Sequence, residues 1–246
     1  SERRSTPCGR MWAARHKKNE LAERTEGEFW RTTILDADHR LRVACGIGPD
    51  ETLASLEAFQ VLQRRGHPVL PPWLLSDGWG GIDDAMLSVY GVVPPYSGKG
   101  RPPTHPKPQP GWHYLQMVKL RDEHGHFKGV KLRPIYGEKE TLVAVLGKST
   151  AYLERSNLTA RLFSARLTRK TLAFSKQLAM HRASATWEDA YYNLVRPHKS
   201  LRLPVEDQPG TKWKPRTPAM ATGLTDHIWT VKELLWLLPL PGANNT

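Results

Sequence analysis

The spacing of apolar positions changes period several times along this chain, and each change marks an element. In "FWRTTILDADHRLRVACGIG" (29–48), Ile34 and Leu35 precede an Asp-rich turn, and Leu41, Val43 and Cys45 alternate with polar or small residues after it, which predicts a β-hairpin. "DETLASLEAFQVLQRRG" (50–66) carries Leu53, Leu56, Phe59 and Leu62 at helical spacing, with acids in the first turn and Arg64, Arg65 and Gly66 at the end. That charge order suits the helix dipole. "PPWLLSDGWGG" (71–81) reads as a short apolar strand stopping at Ser76-Asp77-Gly78, and "IDDAMLSVYG" (82–91) as a helix closed by Gly91. The order to this point is strand, strand, helix, strand, helix.

Residues 94–112 are too dense in proline for a regular element and are expected to form a basic loop. "YLQMVKLRDEHGHFKGVKLRPIYG" (114–137) alternates on both sides of "DEHGH", which predicts a second hairpin whose polar face is rich in Lys and Arg. From Ser149 to about Val195 the pattern is helical, with Leu153, Leu158, Leu162 and Phe163 on the first helix and Leu172, Leu178, Ala185, Trp187 and Tyr191 further on; Pro197 ends it. The tail from 204 is Pro-rich until "TDHIWTVKELLWLL", where Asp226 is expected to cap a last short amphipathic helix.

Composition narrows the partners. The chain has 246 residues, 39% of them apolar, enough for a real core, and a net charge of +12. So basic a surface seeks polyanions, nucleic acid first and an anionic membrane next. No apolar run approaches the roughly 20 residues of a membrane span, because the longest, "LLWLLPLPG", is cut by prolines; no membrane partner is expected. Cys8 and Cys45 are the two cysteines, without a CxxC, which supports neither a disulfide framework nor a zinc ribbon and suits a reduced cytoplasm. The first residues contain no apolar segment of the kind a signal peptide needs.

Glu154 raises a chemical question, because no other acid follows it until Glu188 while Arg155, Arg161, Arg166, Arg169 and Lys170 crowd the same stretch. At about 100° per residue, Glu154, Asn157 and Arg161 share one helix face. A carboxylate beside an amide and a guanidinium suits a site that holds Mg²⁺ against a phosphodiester, with hard oxygen for the metal and Arg for the phosphate. The partner acid should come from a strand end, and Asp77 qualifies, lying where an apolar strand stops among glycines. The ordinary alternatives are a dipole-satisfying helix acid for Glu154 and a turn residue for Asp77. Lys99, Arg101 and Lys107 on the proline-rich loop are expected to touch backbone phosphate. "SGKG" (97–100) lacks the strand and helix of a phosphate loop, and His124 and His126 lack a nearby third ligand for a metal.

"LLSDGW", "YLERSNLTARLFSARLTRKTLAFSK", "YYNLVRPHKSLR" and "PRTPAMATGLTDHIWT" resemble the second-acid segment, third-acid helix and closing segments of DDE transposases of bacterial and archaeal insertion sequences with an IS one-type catalytic domain, over roughly residues 26–235. The resemblance implies an α/β, ribonuclease H-like fold: a mixed sheet flanked by helices, with a β-hairpin insertion and a Pro-rich C-terminal tail. It implies a DNA transposase that cleaves and transfers strands, with Mg²⁺ or Mn²⁺ held by acids, acting as a homo-oligomer on transposon ends and target in a prokaryotic cytoplasm. Asp77 would be the second acid and Glu154 the third, both metal ligands, with Arg161 in the position of the family's basic residue; Arg155, Asn157, Arg166, Arg169 and Lys170 would orient DNA.

The first acid departs from the pattern. Cys8-Gly9-Arg10 stand where the family has Leu-Asp-Glu, and Asp36 and Glu28 are the candidate substitutes, although Asp36, with Asp38, reads first as a turn-former of the hairpin. The expected organisation is a degenerate N-terminal remnant (1–25), a catalytic domain (26–203) with the Pro-rich loop and hairpin inserted at 94–137, and a tail (204–246). Loss of an acid opens two further readings: a catalytically inactive DNA-binding protein, and a nuclease of the same fold that recruits a replacement ligand.

Overall fold

A computed structural model describes residues 29–98, 100–147, 150–168, 172–173, 175–205 and 212–236. It is a mixed α/β structure, and the first half follows the order expected from the sequence. The opening hairpin is β1 (Trp30–Leu35) and β2 (Arg42–Gly48), followed by helix α1 (Glu51–Arg65), strand β3 (Leu74–Asp77) and helix α2 (Gly81–Tyr90). Asp50 caps α1 by accepting from the Leu53 amide at 2.8 Å, satisfying one of the donors a helix start leaves free. The helix lies directly on β2: a Cβ placed on Gly46 would sit 2.0 Å from the Ala54 carbonyl oxygen, so only glycine lets the two backbones approach this closely.

The second hairpin is β4 (Tyr114–Arg121) and β5 (Phe127–Tyr136), antiparallel as expected. It is not an insertion, however. β3 pairs in parallel with β4, Asp77 opposite Met117, which makes β4 the central strand of a three-stranded mixed sheet ordered β3-β4-β5. Tyr114 to Met117 are all buried, as a strand covered on both faces requires. The core unites Ala44 of β2, Phe59 and Leu62 of α1, Ala85, Met86 and Tyr90 of α2, and Trp112 and Tyr114 leading into β4. Tyr90, Trp112 and Tyr136 meet edge to face, at centroid separations of 6.5 and 5.4 Å.

A helix not anticipated from the sequence, α3 (Lys139–Leu146), follows β5 and buries Leu142. The long stretch expected to be helical is broken: α4 (Ala151–Phe163), a 3₁₀ turn at Ala165–Leu167, and α5 (Leu178–Ala190). Beyond α5, Tyr191–Val195 makes a π-helical turn, closed by the Arg196 amide on the Tyr191 carbonyl at 3.0 Å and stopped by Pro197. Short strands β6 (Leu203–Pro204) and β7 (Trp213–Lys214) pair, and helices α6 (Pro218–Ala221) and α7 (Val231–Trp236) follow. Asp226 does not cap α7. Thr230 does, in a reciprocal box with Glu233: the Glu233 amide donates to Thr230 Oγ1 at 3.2 Å and the Thr230 amide to Glu233 Oε2 at 2.6 Å, while Asp226 pairs with His227.

The chain divides into two compact units. Among the described residues, those within 29–34 and 43–178 form the first; the hairpin tip, 35–42, groups with those within 179–236 in the second. Arg42 explains that grouping. Its buried guanidinium donates to Glu188 and Asp189, each at 2.9 Å, and lies 4.0 Å from the Tyr192 ring centroid. Its amide donates to Asn193 Oδ1 and its carbonyl accepts from Asn193 Nδ2, both at 3.0 Å. Among the described residues, no helix is long and apolar enough to cross a membrane.

Candidate active site

Side-chain alternation along β3 decides what Asp77 can do. Ser76 points into the core, where a directed chain of hydrogen bonds runs from Gln116 to the strand end. Gln116 Nε2 donates to the Tyr114 hydroxyl at 2.9 Å, Tyr114 and Ser76 share a 2.7 Å bond, and Ser76 Oγ donates to the Asp77 carbonyl at 2.8 Å. Because the Ser76 proton is committed to that carbonyl, the Tyr114 hydroxyl must be the donor in the middle link. Burial pushes the Tyr114 pKa up to about 12, which keeps that proton in place. Asp77, one residue on, faces the other side of the sheet. Its Oδ1 accepts from the Trp79 amide at 3.4 Å. At Gly78 a Cβ would come 3.0 Å from a Val118 methyl, and the Trp79 ring occupies the space a Cβ on Gly81 would need. The strand end is therefore held on both sides.

Helix α4 brings the second carboxylate. The Glu154 amide donates to the Thr150 carbonyl at 3.0 Å, and Glu154 Oε1 accepts from Thr150 Oγ1 at 3.4 Å. The same oxygen accepts from Lys119 Nζ at 2.5 Å. Lys119 stands two residues beyond Met117, the register partner of Asp77, so it projects from the same sheet face as Met117. Asp77 responds to both neighbours. Its pKa is raised, chiefly by burial, with the Trp79 amide and the Lys119 charge pulling it down and the Glu154 charge pushing it up. The fold thus places two carboxylates 77 positions apart in the chain, 77 and 154, around one ammonium.

The other expected residues are dispersed. Arg155 is exposed and Asn157 half-buried on α4; Arg161 is half-buried on the Glu154 face, and its Nε is shielded from solvent with no hydrogen-bond partner. Arg166 lies in the 3₁₀ turn and donates to Ser175 Oγ at 3.2 Å, a structural engagement. Arg101 and Lys107 are exposed on the proline-rich loop, which is tied down by mutual backbone bonds of 3.0 Å between Val92 and Lys107. Asp36 serves its own turn, accepting from the Asp38 amide at 2.8 Å, the His39 amide at 3.3 Å and His39 Nδ1 at 2.7 Å. Burial works against its ionisation, yet these bonds, led by the His39 side chain, hold its pKa below the usual carboxylate value. Glu28, Lys99, Arg169, Lys170 and the Cys8-Gly9-Arg10 segment lie outside the described residues.

Lys119 is the site residue that the sequence reading passed over. It sits in "QMVKL" as one of several strand cations, and only the parallel register of β3 and β4 distinguishes it. Among the described residues, no group of three His, Cys, Asp or Glu is arranged to hold a metal ion. His124 and His126 flank the β4–β5 turn, where Asp122 collects the His124 amide, the His126 amide and His126 Nδ1. No protein-family model matches the chain, and no curated protein or solved structure is significantly similar to it.

Proposed function

We propose that this chain is the catalytic domain of a DNA transposase of the DDE type, on a ribonuclease H-like fold, with an incomplete set of acids. The observation that carries the reading is that Lys119, on the β4 face shared with Asp77 at its strand end, reaches Glu154 from helix α4 and so brings the two carboxylates to one side of a mixed sheet. Burial chiefly raises Asp77 and the Glu154 charge adds to it in the same sense, so a cation beside the two carboxylates would favour their ionised forms. Hard carboxylate oxygens suit Mg²⁺ or Mn²⁺ completed by water, and two of them fit one ion rather than two. Asp77 and Glu154 would hold that ion, which when bound supplies Lewis-acid activation of a phosphodiester.

The protein's own part is to position and to grip. Arg161, two turns along α4 from Glu154, brings a half-buried guanidinium to the Glu154 face, a group that suits a phosphate. Arg155, Asn157, Arg101 and Lys107 add contacts to the DNA backbone, and the +12 charge draws the polyanion in. Transposon ends and target DNA are the substrates of this reading, with the chain working as a homo-oligomer in a prokaryotic cytoplasm. A second reading, a DNA-binding protein derived from a transposase and without catalysis, is favoured by Cys8-Gly9-Arg10 standing in the sequence where the resembled family has its first acid.

Nicking of supercoiled DNA separates the two. With Mg²⁺ or Mn²⁺, the enzyme reading expects cleavage that an Asp77→Ala, Glu154→Ala double variant abolishes. Equal DNA binding by both proteins with no cleavage by either would leave the binding reading standing.

A further inference from the structure

We infer that Lys119 is the built-in counter-ion of the Asp77–Glu154 pair, and that a divalent cation entering the site must displace its ammonium from Glu154. This inference rests on the metal-dependent reading above and adds a residue to it. Three observations support it. Lys119 Nζ lies 2.5 Å from Glu154 Oε1, in contact with one carboxylate of the pair. Asp77 pairs in register with Met117, two residues before Lys119 on β4, so the other carboxylate leaves the sheet on the same face as Lys119. The side chains of Lys119 and Glu154 are 43% and 56% exposed, so the ammonium can leave for water without stranding a buried charge.

Lysine is suited to such an exchange. Its ammonium is a strongly hydrated point charge on a flexible stem, whereas a guanidinium would bind the carboxylate through a planar fork. Besides its Glu154 contact, Lys119 is held by its backbone in β4, and its ladder partner Val130 carries no charge. Two carboxylates and one ammonium carry a net charge of one minus; without the ammonium the site carries two minus, matching a divalent ion. Lys119 therefore sets how tightly the pair takes a metal. Once released, its ammonium remains beside the pair, where a phosphate could engage it.

Titration calorimetry with MnCl₂ on the full chain tests this without relying on catalysis. Lys119→Met should bind Mn²⁺ about two- to fivefold more tightly than the unmodified chain, the order of effect expected when a partly exposed charge contact is removed. Lys119→Arg should show no gain, and Glu154→Gln should lose binding in either background. Circular dichroism should show each variant folded, since position 119 is partly exposed. Equal Mn²⁺ affinity in the unmodified chain and Lys119→Met, abolished by Glu154→Gln, would overturn the role of Lys119 while leaving the metal-dependent reading intact. Absence of binding in both the unmodified chain and Lys119→Met would overturn the two together.

Discussion

Arg42 and Lys119 head two clusters with the same inventory, one cation and two carboxylates, put to different use. In the second unit, Arg42 is buried between Glu188 and Asp189, its guanidinium sharing two 2.9 Å contacts, with an aromatic ring against it and its backbone locked to Asn193. In the first unit, Lys119 is partly exposed and contacts Glu154 directly while reaching Asp77 through its field. Burial turns an ion cluster into a fastener, because every partner removed leaves a desolvated charge behind. Exposure makes the same charges exchangeable, because water stands ready to replace any of them.

Breaking the fastener should have the largest effect. Arg42→Met removes the buried guanidinium that Glu188 and Asp189 share and should destabilise the second unit by about 3 kcal/mol, measured by urea denaturation followed through the tryptophans of that unit. If the loss were spread equally over both units, Arg42 would not be specific to the second.

Acid should loosen the same unit next. The His198 pKa is held down to about 4, first by burial and then by the charges of Arg196, Arg42 and Arg40. Below its unfolded value of about 6.5, an unfolded His198 takes up a proton that the folded one refuses. The contribution to stability is therefore complete above that pH and is lost as the pH falls towards 4. His198 Nε2 is buried without a partner and the ring packs edge-on against Tyr192, so His198→Phe should fold and flatten the decline between pH 6.5 and 4. An unchanged pH profile in melting experiments would assign the decline to another group.

Asp77 should behave in the opposite sense to a fastener. Its raised pKa means that ionisation costs the folded state, so its stabilising contribution is present at low pH and lost as pH rises through the folded value. Asp77→Asn should consequently melt at a higher temperature than the unmodified chain at pH 7, with the gap closing near pH 3. The same variant should lose Mn²⁺ binding. A lower melting temperature at pH 7 would make Asp77 structural. Lys119→Met should change stability least, by under about 0.5 kcal/mol, in contrast to Arg42→Met; a loss comparable with that of Arg42 would erase the distinction between the clusters.

Local pattern and long-range packing contributed differently to what could be read in advance. The opening hairpin, α1, β3 and α2 follow from alternation, caps and dipole charges, all set within a few residues. The capping box of α7 was equally available in "TVKE", since Thr230 and Glu233 have the required spacing; Asp226, an attractive cap by residue type, lies too far upstream of Val231. Helix α3 escaped because eight residues between a hairpin and another helix show little more than two turns of periodicity. The second hairpin was recognised, but its place was not, because nothing within 114–137 records that β3 will pair beside β4.

The sequence by itself determined which residues alternate, where helices begin, that Asp77 ends a strand and that Glu154 rides a helix among cations. These are properties of periods of two and 3.6 residues, written locally. Tertiary structure alone decided that Lys119 stands with that pair and that Arg42 belongs with Glu188 and Asp189. Such partnerships depend on strand register and on which side chains are buried together, and both are settled by packing between segments far apart in the chain.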